Sequence, residues 1–317
     1  MPDESADASA LPSDVHETVV TVGTFDGVHR GHQHVLARLV ARAAATGRRS
    51  ILVTFEPHPL EIVNPTAAPP LLTVGAEKME VIAESGIDYH AILPFTPTLR
   101  AYTPEQFVTL LERRMRLREL LIGYDHGFGR GRAGDVEVLQ MIGARRGTRV
   151  EVVPAVTLDD GRPISSTSIR RAVAGGDLVR AAAGLGRPYS VSGRVVPGER
   201  RGRRIGYPTL NLGPPPRRKL LPPEGVYAVR AQTPAGTFGG MMNLGPRPTF
   251  GDDAVGLEAH LFEAEHELYG AWVRLDFVER LRDTRRFADT AALVAQLRRD
   301  EENARRALTS PESPGNV

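Results

Sequence analysis

The apolar residues of this chain keep two different rhythms, and the change between them near Gly186-Arg187-Pro188 constrains the fold more than any other feature. From Val19 to Val156, short apolar runs at 19–25, 51–55, 89–93, 119–124 and 149–156 alternate with stretches of helical spacing near 33–45, 76–85, 104–117 and 135–146. Strands that alternate with helices predict a parallel sheet with helices on both faces. The third helix carries its own start signal, with Thr103 as N-cap, Pro104 at the first helical position and Gln106 at the third. Beyond Pro188 the spacing falls to period two, in segments 189–196, 226–232, 237–243, 257–262 and 271–278 broken by Gly and Pro. Helical spacing returns only at Thr290, where Leu293 and Leu297 mark one closing helix. Short strands with no helices between them predict a small antiparallel barrel. The expected architecture is an α/β, Rossmann-like domain over 18–186, then a β-barrel domain with a C-terminal helix over 187–308. The polar ends, 1–17 and 309–317, read as disordered tails, and 317 residues leave room for both cores.

Composition removes several classes of function. No apolar run approaches the roughly 18 residues that a membrane span needs. The stretch Met1 to Glu17 is polar and acidic, without the basic-then-apolar order of a signal peptide. Neither a membrane partner nor secretion is expected, and the location reads as cytoplasmic. Cysteine is absent, which rules out disulfides and thiolate metal sites and fits a reducing compartment. A net charge of +2 is too small to argue for nucleic acid. The cluster Arg200-Arg201-Gly202-Arg203-Arg204 reads as a solvated loop or a small-phosphate site. Lysine occurs only at 78 and 219, a bias that reflects genome composition as much as function.

The densest chemistry lies between the first strand and the first helix, in Gly23-Thr24-Phe25-Asp26-Gly27-Val28-His29-Arg30-Gly31-His32. Its glycines let backbone N–H groups approach a ligand where a Cβ would obstruct. His32 falls near a helix N-terminus, where free N–H groups and the helix dipole favour phosphate. A single histidine at a helix start is usually a cap. Ten residues in this order, between a strand and a helix, make a triphosphate cradle with two imidazole donors. The pattern resembles the G-x-F-D-x-x-H-x-G-H signature of the HxGH nucleotidyltransferases, which join a nucleotide to a phosphate and release pyrophosphate. It does not name the acceptor.

Ile164-Ser165-Ser166-Thr167-Ser168-Ile169-Arg170 follows the last strand of this half and opens a helix. Hydroxyls there can cap the helix, and Arg170 one turn in can reach phosphate oxygens. The segment resembles the I-S-S-T-x-I-R run that closes the nucleotide site in the same superfamily. Thr54 to Pro59 ends the second strand and Gly123 to Gly129 the fourth, and both place polar and aromatic groups at the carboxyl edge of the sheet. The motif supplies donors (His29, His32, Ser166, Arg170) and no nucleophile. That suits in-line attack of an acceptor phosphate on an α-phosphorus, where catalysis is positioning plus charge neutralisation.

In the barrel half, Gly202-Arg203-Arg204-Ile205-Gly206-Tyr207-Pro208-Thr209-Leu210-Asn211 joins a flexible basic loop to a rigid Pro-Thr turn. Thr209 and Asn211 alternate onto one face of an extended segment, and their oxygens suit Mg²⁺. On the strand at 257–262, Leu257, Ala259 and Leu261 take one face and leave Glu258 and His260 on the other. A carboxylate held there is placed to act as a general base toward a hydroxyl.

This half resembles the riboflavin kinase module: G-R-x-x-G-[FY]-P-T-x-N, G-V-Y-A from Gly225 to Ala228, N-x-G-x-[RK]-P-T-F from Asn243 to Phe250, L-E-A-H-L-F, and L-Y-G from Leu268 to Gly270. Behind the double-histidine half, it makes the whole chain similar to the bacterial bifunctional riboflavin kinase/FMN adenylyltransferase (FAD synthetase) family, over roughly Val19 to Ala307. The resemblance implies ATP-dependent phosphorylation of riboflavin to FMN, then adenylyl transfer from ATP to FMN, giving FAD and pyrophosphate. It implies that His29, His32, Asp125, Ser166, Thr167 and Arg170 hold ATP for the second reaction, along with Gly23, Phe25, Asp26 and Gly31, with Phe55 and Phe128 near the flavin. In the kinase half it implies nucleotide contacts at Gly202, Arg203 and Pro208, Mg·ATP at Thr209 and Asn211, Glu258 as base for the ribityl 5′-hydroxyl, and a flavin-side loop at Arg282 and Phe287. His126 departs from the pattern, where an aromatic is expected after Asp125, and so does Leu210, where Ala is usual. ATP itself comes from the family, since nothing in the residues excludes CTP. Oligomeric state is not legible.

Overall fold

The first strand, β1 (Thr18–Val22), is buried along its whole length, the signature of a strand covered on both faces. The computed structural model describes residues 11–124, 134–157, 161–198, 201–246, 255–264 and 268–309. The chain divides into two units, residues 1–70 with 78–165 and residues 71–77 with 166–317.

In the first unit β1 is followed by α1 (Arg30–Thr46), β2 (Arg49–Glu56), α2 (Pro59–Val63), α3 (Gly75–Ala83, which begins in the second unit), β3 (Tyr89–Pro94), α4 (Pro97–Arg100), α5 (Pro104–Met115), β4 (Leu117–Gly123), α6 (Val136–Arg146) and β5 (Arg149–Val153). The sheet runs β3-β2-β1-β4-β5 with every pairing parallel. Side chains alternate across it. Val20, Val22, Ile51, Val53, Leu120 and Ile122 pack under α5 and α6. Val19, Leu52 and Leu121 pack with Leu36 and Leu39 of α1 and with Val81 and Ile82 of α3. Each fully buried side chain of this kind contributes about 1.5–3 kcal/mol. Thr103 and Gln106 form the expected capping box on α5. The stretch 11–17, read as part of a tail, instead packs: Val15 is buried, Leu11 joins the α5 side of the core, and Arg116 donates to the Pro12 and Val15 carbonyls.

The second unit carries α7 (Ser166–Ala174), α8 (Leu178–Leu185), β6 (Ser190–Val196), α9 (Arg201–Arg204), β7 (Leu210–Leu212), β8 (Gly225–Thr233), β9 (Gly236–Pro246), β10 (Val255–Leu261), β11 (Trp272–Arg282) and α10 (Thr290–Thr309). Its six strands close into an antiparallel barrel in the order β10-β7-β6-β11-β8-β9. The sequence rhythm predicts five of them. The sixth, β7, spans three residues, too few to show a period. Val294, Leu297 and Ala304 of α10 lie against Ala228, Met241 and Phe262.

Residues 71–77 are built into this second unit. Leu71 bridges in parallel to Lys219, its N–H donating to the Arg218 carbonyl while its own carbonyl accepts from Leu220. The Lys219 ammonium donates to the Leu72 carbonyl at 2.7 Å, the Ser190 carbonyl at 2.7 Å and Glu77 Oε1 at 2.6 Å. It also lies 4.5 Å from the centre of the Tyr189 ring. No helix among the described residues is long and apolar enough to cross a membrane.

Candidate active sites

Strand β1 ends in the motif turn, whose shape is fixed by buried side chains rather than by glycine alone. Phe25 and Val28 take left-handed φ angles of 47° and 40°, a strain of about 1–3 kcal/mol each. Both are held there because their side chains are sunk in the α1 side of the core. The Gly23 N–H continues the sheet by donating to the Val53 carbonyl at 3.0 Å. A Cβ on Gly23 would stand 3.0 Å from the Phe25 ring, and one on Gly31 3.1 Å from the His29 ring. Asp26 and His29 are buried.

His29 caps α1, its Nδ1 accepting from the His32 backbone N–H at 3.3 Å. An acceptor at Nδ1 puts the proton of the neutral ring on Nε2. The two imidazoles stack at 3.7 Å and 15°, with Phe25 tilted against His32 at 4.8 Å. Nδ1 of His32 is enclosed and has no hydrogen-bond partner among the described residues. Burial holds the His32 imidazole well below its ordinary value, and the neighbouring His29 and Lys78 push the same way. At neutral pH this ring is uncharged and can donate or accept according to its tautomer.

The turn is braced from the second strand and from α3. Lys78 Nζ donates to the Thr24 carbonyl at 2.6 Å and to Thr54 Oγ1 at 2.7 Å, and Thr54 donates to the same carbonyl at 3.2 Å. Neither Lys78 nor Thr54 is among the site residues expected from sequence. The available signal was compositional, since Lys78 is one of two lysines. Phe55 is half-buried, edge-on to Phe95 at 5.5 Å and near Phe107 at 6.3 Å, so part of its ring serves the core. Asp125, His126 and Phe128 lie outside the described residues.

Ser166 and Thr167 occupy the first turn of α7 and Arg170 follows one turn later, all in the second unit. In the barrel, Thr209 Oγ1 donates to Glu258 Oε1 at 2.6 Å. Strand register sets Glu258 opposite Asn211 of β7 on one side and Asn243 of β9 on the other. Three polar residues, Thr209, Asn211 and Asn243, thereby flank one carboxylate that is exposed to solvent. Asn243 escaped the residue-level expectation, although it begins the N-x-G motif. The amide of Asn211 lies against Gly198, where a Cβ would fall 2.2 Å from Nδ2. Gly202 meets the same limit, a Cβ there standing 2.1 Å from the Tyr207 carbonyl, while Arg203 and Pro208 are exposed. His260 turns away from the carboxylate, its Nδ1 2.7 Å from the Pro208 carbonyl oxygen.

Arg282 is held in place by an ion pair. Its Nε reaches both oxygens of the buried Asp300 on α10 at 2.9 and 3.0 Å, and Gln296 secures the same carboxylate at 2.7 Å. Phe287 lies between Arg282 and Arg285, at 5.8 and 4.9 Å from the two guanidinium carbons. The structure thus ties Arg282 to the closing helix, with Phe287 beside it. Among the described residues no group of three or more His, Cys, Asp and Glu side chains could hold a metal ion.

Comparison with known proteins agrees with both halves. The FAD synthetase family model matches residues 11–168 and the riboflavin kinase model residues 185–308. The bifunctional riboflavin kinase/FMN adenylyltransferase of Escherichia coli is 38% identical over 92% of this chain and 94% of its own length. That of Bacillus subtilis is 31% identical over 93% of each. A solved structure described as a macrolide-efflux protein from Streptococcus pneumoniae superposes with a TM-score of 0.81 at 30% identity, covering 93% of this chain and 96% of that one.

Proposed function

Because the chain belongs to the bifunctional riboflavin kinase/FMN adenylyltransferase family, and so phosphorylates riboflavin to FMN and adenylates FMN to FAD with ATP, we propose which of its residues carry each step. The adenylyl-transfer site is the β1–α1 turn, in the domain 18–186. The stacked His29–His32 pair carries this reading, since it presents two imidazoles at a helix start, and His32 Nδ1 has no hydrogen-bond partner among the described residues. A phosphate oxygen of FMN attacks the α-phosphorus of ATP, the bond to the β-phosphate oxygen breaks, and pyrophosphate leaves. His29 and His32 donate to the phosphate oxygens on which charge builds, and the α1 N-terminus adds its free N–H groups. Gly23, Phe25, Asp26 and Gly31 shape the cradle, and Asp125, Ser166, Thr167 and Arg170 complete the nucleotide contacts. Phe55 and Phe128 contact the flavin.

The kinase site is the Thr209–Asn211–Glu258 face of the barrel, in the domain 187–308. Glu258 removes the proton from the ribityl 5′-hydroxyl as its oxygen attacks the γ-phosphorus of ATP, and ADP leaves. The hydrogen bond from Thr209 supports this role by fixing the carboxylate's orientation on a rigid strand. The donor set fits Mg²⁺, because the Thr209 hydroxyl and Asn211 amide are hard oxygen ligands and Mg²⁺ keeps several waters and substrate phosphates besides. When bound, the ion neutralises charge on the transferred phosphate. Gly202, Arg203 and Pro208 hold the nucleotide, and Arg282 and Phe287 border the flavin. Dependence of both steps on ATP supports a cytoplasmic location.

The test is a time course with riboflavin, ATP and Mg²⁺, the flavins resolved by chromatography. FMN that appears first and converts to FAD is the expected outcome. FMN that accumulates without FAD would remove the assignment of the double-histidine turn.

A further inference from the structure

Of the 40 basic residues in this chain, all but Lys78 and Lys219 are arginine. Both exceptions serve backbone carbonyls at short range. Lys219 does so inside the second unit, as described above, and Lys78 does so at the motif turn. A planar guanidinium suits carboxylates and phosphates, whereas an ammonium is a compact point charge with three donors that can converge on neighbouring oxygens. In this chain the two ammonium groups stand where several donors converge on neighbouring oxygens.

Resting on the adenylyl-transfer reading above, we propose that Lys78 is a positioning residue of that site, holding the Thr24 carbonyl and Thr54 together and presenting its positive charge to the triphosphate side of the cradle. Two of its three N–H groups go to Thr24 and Thr54, at 2.6 and 2.7 Å. Thr24 precedes Phe25, whose left-handed backbone sets the direction of the turn toward Asp26 and His29. Removing the ammonium leaves the carbonyl before this strained residue with only the longer hydrogen bond from Thr54. The charged groups facing it are Asp26 from the turn and Glu56 from the end of β2, and its own field reaches His32 on α1. Burial draws the Lys78 ammonium down to about 8, while both carboxylates pull the other way. Its charge is therefore intact at neutral pH and lost in the mildly alkaline range.

The absence of cysteine supplies a clean test. Lys78→Cys places a single thiol in the chain, and alkylation with bromoethylamine in denaturant, followed by refolding, rebuilds an ammonium with sulfur in the stem. Lys78→Met, Lys78→Gln, Lys78→Arg and the alkylated Lys78→Cys protein are compared for conversion of FMN to FAD between pH 6.5 and 9.5. Riboflavin phosphorylation and the melting temperature serve as internal controls. Lys78→Met and Lys78→Gln are expected to lose about 10²–10³-fold in kcat/KM for FAD formation while phosphorylating riboflavin within twofold of normal. They should also lose the alkaline limb near pH 8. Alkylation should recover most of the rate and bring back a limb displaced to lower pH, because sulfur makes the amine less basic. Lys78→Arg should not recover it. Full FAD formation by Lys78→Met, or no recovery in an alkylated protein that melts like wild type, would overturn the proposal. A His32→Ala variant that still makes FAD would instead remove the site reading on which it rests.

Discussion

Substituting Glu77 by Gln keeps the side chain's shape and removes its charge, leaving Lys219 charged in a place water does not reach. The Lys219 side chain is 0% exposed and that of Glu77 3%. All three ammonium N–H groups are spent, on one carboxylate oxygen and two carbonyls. Removing one partner of a buried pair costs about 3–5 kcal/mol, because the charge left behind is uncompensated. Lys219→Met should cost as much, since it takes from the buried Glu77 its ion-pair partner and from the Leu72 and Ser190 carbonyls the ammonium that donates to them. The double variant leaves no unmatched charge from this pair. Its cost should fall below the sum of the single costs by at least about 2 kcal/mol, the scale of coupling expected for groups in one network. Urea unfolding followed by fluorescence reads this directly, because the chain's single tryptophan, Trp272, lies on β11 of the same unit. The pH dependence adds a second check. Burial pushes the Glu77 carboxyl above its ordinary value, while Lys219 and then Arg274 pull it back. A carboxyl raised in the fold gives its full contribution below its unfolded value and loses it as pH rises through the folded one. With Lys219 replaced by Met the larger part of that pull is gone, and Arg274 is left to oppose burial. That variant should therefore fall further behind wild type as pH rises above the ordinary carboxylate range. Single variants that each cost under about 1 kcal/mol, or that add without coupling, would refute the reasoning.

Three further outcomes test the sites. His32→Ala should reduce FAD formation by about 10²–10³-fold, the loss of one preorganised donor, with riboflavin phosphorylation within a few-fold of normal. Glu258→Gln should show the reverse, losing about 10²–10⁴-fold in the kinase step while adenylating supplied FMN and binding riboflavin as before by fluorescence titration. Gly198→Ala, whose Cβ would fall 2.2 Å from the Asn211 amide, should displace that side chain. Its KM for Mg·ATP in the kinase step should rise while its melting temperature stays near that of wild type.

Periodicity carried most of the fold to the page before any coordinates. The five parallel strands and the capping box of α5 are local features, written in spacing and in Thr103-Pro104-Glu105-Gln106. What escaped was non-local or too short. Strand β7 has three residues, and the docking of residues 71–77 beside Lys219 joins positions 148 apart at Leu71 and Lys219, so no window of sequence could register it. The same holds for Val15, whose burial depends on Arg116 reaching back to its carbonyl. At the first site the motif disclosed His29 and His32 but not Lys78, because a lone lysine on an amphipathic helix looks like any solvated cation until its ammonium is seen against Thr24. At the second, Glu258 and Thr209 lie 49 positions apart and meet only because β7 pairs with β10.

The order β3-β2-β1-β4-β5 has a consequence for how such a protein can change. Starting from β1, the chain winds outward to β2 and β3, then returns to the opposite flank of β1 to lay down β4 and β5. The connections leaving the two middle strands therefore diverge, and a crevice opens above the end of β1 as a product of winding direction. No core side chain is needed to hollow it out. Apart from the turn after β1, whose Phe25 and Val28 belong to the core, loops around that crevice can be rewritten for another acceptor while the layers beneath keep their packing.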